Sequence, residues 1–205
     1  MRIRWIVLTV GGLIILGLFA FPLWWPIVNV SPVSSALPGL TDLPPAEQDV
    51  IEQIAVEDLP FARALIEGAQ ATPIPAPESE EAMPELLSPT IFSSGEFTEI
   101  DAVRRAEGTV TVYQLADGSW LIRLEGFRVR HVPQLHLFLS AHPDPRTPEE
   151  VRADGLGLDW GPLKGEAGNM NYPMPAGFDM SAVQSVVIYA LPYGEVISTA
   201  PLTRR

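Results

Sequence analysis

Residues 109–127 read TVTVYQLADGSWLIRLEGF, and this stretch decides the fold class. Apolar and polar side chains mostly alternate over Thr109–Tyr113 and again over Trp120–Phe127, the period of two that turns one face of a strand to a core and the other to water. Between the runs stands Asp117-Gly118, whose glycine accepts the left-handed backbone of a tight turn, so the pair reads as a β-hairpin. Downstream, Leu135, Leu137 and Leu139 mark one face of a third strand. Val186–Ala190 is an apolar run suited to a strand buried on both faces, and Val196–Ala200 supplies a last strand after Pro192-Tyr193-Gly194. Short strands separated by turns predict an all-β, antiparallel sandwich or partly closed barrel over residues 92–205. Residues 141–162 are the exception, a long connection rich in Pro and Gly of the kind that carries function or wraps an edge.

Upstream the character changes. Residues 29–91 hold eleven acidic side chains against the single Arg63, and ten of the chain's 21 prolines. That composition opposes a compact core and reads as an acidic, Pro-rich spacer. Two short helices are predicted within it, at about residues 45–69. Val50, Ile51, Ile54 and Ala55 keep helical spacing after Pro44 and Pro45; Asp58 is placed to cap a second piece through Phe61, Leu65 and Ile66, ended by Gly68. Each is too short to be stable alone, so the pair is expected to pack on the following domain, on another copy or on a partner. Pro73, Pro75 and Pro77 favour an extended strut, kept solvated by Glu78, Glu80 and Glu81.

At the N-terminus, the 24 residues from Trp5 to Val28 carry no charge, and about 20 suffice to cross a bilayer core. Trp5 at one end and Trp24 and Trp25 at the other fall where an interfacial aromatic belt belongs. With Arg2 and Arg4 ahead of the span and acids behind it, residues 1–28 are expected to form a cytoplasmic N-terminus and one transmembrane helix. The rest of the chain then lies outside, single-pass and extracytoplasmic. The rival is a signal peptide cleaved after Ala36, where Ser34 and Ala36 form a small-x-small site.

The formal net charge of −12 leaves no basic stripe to track phosphates, so nucleic acid is a poor partner. The absence of cysteine excludes disulfides, thiolate metal sites and thiol nucleophiles together. Of the three histidines, His131 and His136 have opposite strand parity and His142 lies on the long connection. His136 alternates with Gln134 and Phe138 on the face opposite the leucines, as a hydrogen-bonded sheet histidine would. His136 with Met170 and Met174, to which Met180 adds a further thioether, is the candidate metal set. Its soft sulfur suits copper, although methionine also fills irregular cores. No phosphate loop, nucleophile elbow or dinucleotide fingerprint is present, so no residue supports an enzymatic reading.

The landmarks of the distal module nevertheless form an ordered set. They run Gly95, Phe97, Gly108, Val110, Leu124, Phe127, Pro133-Gln134-Leu135-His136-Leu137, Leu163-Lys164-Gly165, Gly168, Asn171-Tyr172, Pro175, Ser185-Val186-Val187-Ile188-Tyr189 and Ala200-Pro201-Leu202. In order and spacing this resembles the DM13, or electron-transfer DM13, domain family. The resemblance implies an extracytoplasmic β-rich domain of membrane-anchored proteins, found beside haem-binding domains in animals and given a part in electron transfer. It also implies a redox cysteine at the position that here is Ala190, and an alanine methyl can neither form a thiolate nor ligate haem iron. The glycine and aspartate that flank the family's Pro-x-Leu motif are Val132 and Gln134 here. Tyr189 and Tyr193 remain as possible contact residues near the missing thiol.

The sequence thus predicts a membrane-anchored domain acting as a binding or accessory module without its own thiol redox centre and without a resident cofactor, whose partners are the membrane and another extracytoplasmic protein. The alternative is an electron-transfer component that works through bound copper or a haem partner.

Overall fold

The computed structural model describes residues 37–82 and 89–205. The expected transmembrane segment and the candidate cleavage site at Ala36 lie outside the described residues, and among those described no helix is long and apolar enough to cross a membrane.

The hairpin that decides the fold class forms as β3 (Ala106–Gln114) and β4 (Trp120–Val129), joined through Asp117-Gly118 with Gly118 at φ 81°. In register, Val110 pairs with Leu124 and Val112 with Ile122, and all four are fully buried. Thr109 and Thr111, on the other face, are not buried. Leu124 and Phe127 are three residues apart and would face opposite ways in a regular strand. A bulge lets both point inward: the pairing of β4 shifts between these residues, and Gly108 opposite lies at φ 109°, where a Cβ would stand 2.7 Å from the Glu125 carbonyl oxygen.

Around this hairpin the first sheet adds β1 (Thr90–Glu96), β7 (Ala167–Met174) and β10 (Thr203–Arg204) in the order β10-β1-β3-β4-β7. The second sheet comprises β2 (Thr98–Glu99), β5 (Leu135–Ser140), β6 (Gly157–Pro162), β8 (Ser185–Ala190) and β9 (Glu195–Pro201), ordered β2-β9-β8-β5-β6. Every strand-to-strand pairing is antiparallel, and the two sheets do not close on each other, so the fold is a sandwich and not a partly closed barrel.

The leucine face of β5 meets the sandwich interior, with Leu137 paired to Ile188 and Leu139 to Val186, all fully buried. The opposite face of the second sheet carries a smaller core of Phe138, Val151, Val187, Tyr189 and Val196, with Ile100 against it. Val151 reaches that core from within the expected connection over 141–162, which is not featureless. It contains β6 and the short helix Pro148–Arg152, started by a reciprocal cap between Thr147 and Glu150.

Two helices precede the sheets, α1 (Pro45–Glu57) and α2 (Leu59–Gln70), and Asp58 accepts a hydrogen bond from the Phe61 amide at 2.9 Å. They pack on the β body. The Arg130 Nη2 atom donates to Glu47 at 2.6 Å with both side chains largely buried, and Arg130 Nη1 reaches the Leu65 carbonyl. Gly68 does not end α2, which continues to Gln70. It allows contact: a Cβ there would lie 1.9 Å from the His131 carbonyl oxygen. We expect Gly68→Ala to force the helices off the body and destabilise the fold by about 1–3 kcal/mol, read as a lower urea midpoint.

The Pro-Glu segment also departs from the free strut expected of it. Pro75 bridges Ala167, the first residue of β7, in parallel sense, and Glu78–Glu81 forms a single helical turn, α3, against the same strand. Proline spacing reports the extended backbone correctly, but the backbone groups left over find partners on a sheet edge rather than in water.

Candidate functional site

The residues singled out for chemistry fall into separate surroundings. Ala190 ends β8, paired with Leu135 on one side and Glu195 on the other, and is 0 % exposed. Its carbonyl accepts from the Tyr193 and Gly194 amides, closing the turn into β9. Tyr193 lies in that turn with its ring 5.2 Å from Phe61 of α2. Tyr189 points to the outer face of the second sheet, where its ring packs 4.8 Å from Phe138 and beneath the Arg152 guanidinium at 5.7 Å. On β9, burial raises the carboxyl of Glu195, and Arg104 at 2.7 Å opposes that rise.

His136 and the methionines are not brought together. His136 shares the outward face of the second sheet with Phe138, and its Nδ1 lies 2.9 Å from both carboxylate oxygens of Asp159. Met170 and Met174 are buried side chains of β7 in the first sheet, and Met180 is buried in the short turn Met180–Ala182. The Tyr172 hydroxyl donates to the Met170 sulfur at 3.7 Å. Among the described residues, no group of three or more His, Asp or Glu side chains is disposed to hold a metal ion. Each of the other histidines also has a partner: His131 Nδ1 lies 2.7 Å from Glu166, and His142 Nδ1 accepts from the Asp144 amide.

The Pro-x-Leu region forms a shallow cleft of about 200 Å³, walled by Ile74, Val132, Pro133, Leu135 and Leu163, with the His131–Glu166 pair at its edge. Gln134 holds φ 54°, a left-handed conformation that costs glutamine more than asparagine or aspartate. Its carbonyl accepts from the Leu191 amide, which fixes the backbone there. Gln134→Asn is expected to raise stability by a few tenths to about 1 kcal/mol, seen as a higher urea midpoint with an unchanged slope.

The most elaborate polar arrangement contains residues that the sequence does not mark as a group. Arg123 projects from the outer face of β4 and is only 3 % exposed. It donates to Glu125, to the Asn171 side-chain oxygen and to the carbonyls of Glu81 and Ala82. Beside it Lys164 Nζ donates to Glu80 at 2.7 Å and lies 5.1 Å from the Tyr172 ring centroid, while the Asn171 amide donates to the second Glu80 oxygen. Burial alone would raise the Glu80 carboxyl; the Lys164 and Asn171 hydrogen bonds outweigh it and hold Glu80 below its ordinary value of 4.5. Burial pushes the Tyr172 hydroxyl up to about 12, so it stays protonated and able to donate.

A depressed folded-state value means that Glu80 contributes stability above its unfolded value, and that this contribution is lost as pH falls through the folded value. Glu80→Gln should therefore flatten the acid limb of a stability–pH profile from about pH 5 downward, measured by urea unfolding in a series of buffers.

Two antiparallel sheets with an inward leucine face, a doubly covered β8 and a glycine-dependent bulge define a disulfide-free β-sandwich domain. The profile of the electron transfer DM13 family matches residues 97–202, more than half of the chain, and the chain belongs to that family. The matched span includes β2 to β9 and leaves out α1, α2 and the Pro-Glu segment. Its cysteine-free sequence sets Ala190 where the resemblance places the family thiol. No curated protein matches the chain in sequence. Two single-site mutants of Candida albicans superoxide dismutase 5 superpose with TM-scores of 0.36 and 0.35 at 15% and 14% identity, covering 58% and 60% of this chain and 94% and 92% of theirs.

Proposed function

We propose that this chain is a membrane-anchored, extracytoplasmic DM13 domain that acts as a binding or accessory module with no thiol redox centre of its own. The observation that carries the reading is Ala190: the position the resemblance gives to the family's cysteine is a methyl group, closed to solvent, with Phe61 of α2 against the turn that follows it. Electron transfer through a thiol requires a sulfur that an oxidant or a metal can approach, and this position offers neither the sulfur nor the approach. The uncharged run Trp5–Val28 supports the anchor, and the acidic segment after it supports an outward-facing domain.

Purified full-length protein offered haem and copper should remain colourless at stoichiometric concentration and retain neither through gel filtration. Stoichiometric uptake with reversible reduction would establish the competing electron-carrier reading. In the same protein, Ala190→Cys should resist a thiol-specific reagent until denaturant is added, and rapid labelling of the folded state would remove the burial argument. Protease applied to intact cells should cleave the β domain, whereas protection until the cells are opened would reverse the proposed topology.

A further inference from the structure

We propose that the outer edge of β7, with the polar face beside it, is a recognition groove for an extended, proline-containing acidic peptide. Residues 74–82 are its intramolecular occupant, and the partner is a protein carrying a segment of the same chemistry. This deepens the module reading and rests on it.

The groove is built for backbone as much as for side chains. The Ile74 carbonyl accepts from the Glu166 and Ala167 amides, and the Ala76 amide donates to the Ala167 carbonyl at 2.6 Å, so the occupant joins the sheet edge through a single parallel bridge at Pro75. Pro75 and Pro77 flank the one amide of this stretch that the edge uses between them, and they hold the segment extended before it binds. The floor is glycine: a Cβ on Gly165 would stand 2.5 Å from the Ala76 nitrogen, and one on Gly168 would stand 3.1 Å from the Ala76 Cβ. Only a small residue fits above them. Beyond the floor, Lys164 pairs with Glu80, and buried Arg123 and Asn171 grip the carbonyls of Glu80, Glu81 and Ala82.

Here a small residue, flanking prolines, a carboxylate at a set distance and three carbonyls are each met by a dedicated group. The carboxylate of Glu80 is answered by Lys164, while Arg123, paired with Glu125, holds backbone carbonyls and the buried Glu166 accepts from the Ile74 amide, so the partner's sign of charge is read at Lys164.

The test uses full-length protein in detergent and a fluorescent peptide of residues 72–83. In wild type the intramolecular segment competes, so binding should be weak. Ala76→Glu with Glu80→Lys removes that competitor, and the peptide should then bind at least about tenfold tighter. Adding Lys164→Glu to this protein should abolish binding of the natural peptide and transfer preference to one with lysine at the position of Glu80. If the double variant does not fold, Glu80→Ala alone should still give affinity above wild type. Absence of saturable binding to a cooperatively melting variant, or binding indifferent to Lys164→Glu, overturns the groove while leaving the module reading intact. Haem or copper uptake would strike that reading and not the groove.

Discussion

Strand β8 is buried on both faces, and the rest of the body is arranged to keep it so. Every residue from Ser185 to Ala190 is buried, with Val186 and Ile188 on the sandwich interior and Val187 and Tyr189 under the outer cluster built with Phe138 and Val151. A chain without disulfides must obtain its cohesion from such burial, each large apolar side chain contributing about 1.5–3 kcal/mol. The outer cluster explains why the connection between β5 and β6 carries a capped helix: Val151 is the lid that keeps water from the second face.

Charge is distributed by the same economy of cover. The excess of acid lies upstream of the sheets, and two of its carboxylates are met by cations of the β body: Glu47 by Arg130, with Arg105 at 3.8 Å, and Glu80 by Lys164. These pairs are partly or largely buried, where removal of one partner costs far more than loss of a surface pair. What composition alone presents as a self-repelling spacer is, over residues 39–82, held to the domain by attraction.

The sequence is legible where local pattern and tertiary demand agree. Strands β3, β4, β5, β8 and β9 carry alternation or apolar runs, and Asp117-Gly118 announces the turn between the first two. Strand β7 does not: Ala167–Met174 contains Gly168, two asparagines and Pro173, and it is a strand because β4 supplies its register. Strand β1 is held along its length by β3, and β10 forms through a pairing of Arg204 with Ser93, a separation that no short window can see. At the site level, the alternation of His136 with Phe138 foretells a sheet histidine, and Asp159 completes it. Arg123 and Glu80 are legible only as a polar strand position and a solvated acid, because their partners lie about forty and ninety residues away.

The four margins of the two sheets share a further property. Strands β2 and β10 are two residues long, β6 is broken by a bulge at Gly161 and ends in Pro162, and the start of β7 is roofed by Pro75 and Ala76. Among the described residues none presents a long, flat row of unused amides, which leaves the sheets without a template for fibrillar growth edge to edge.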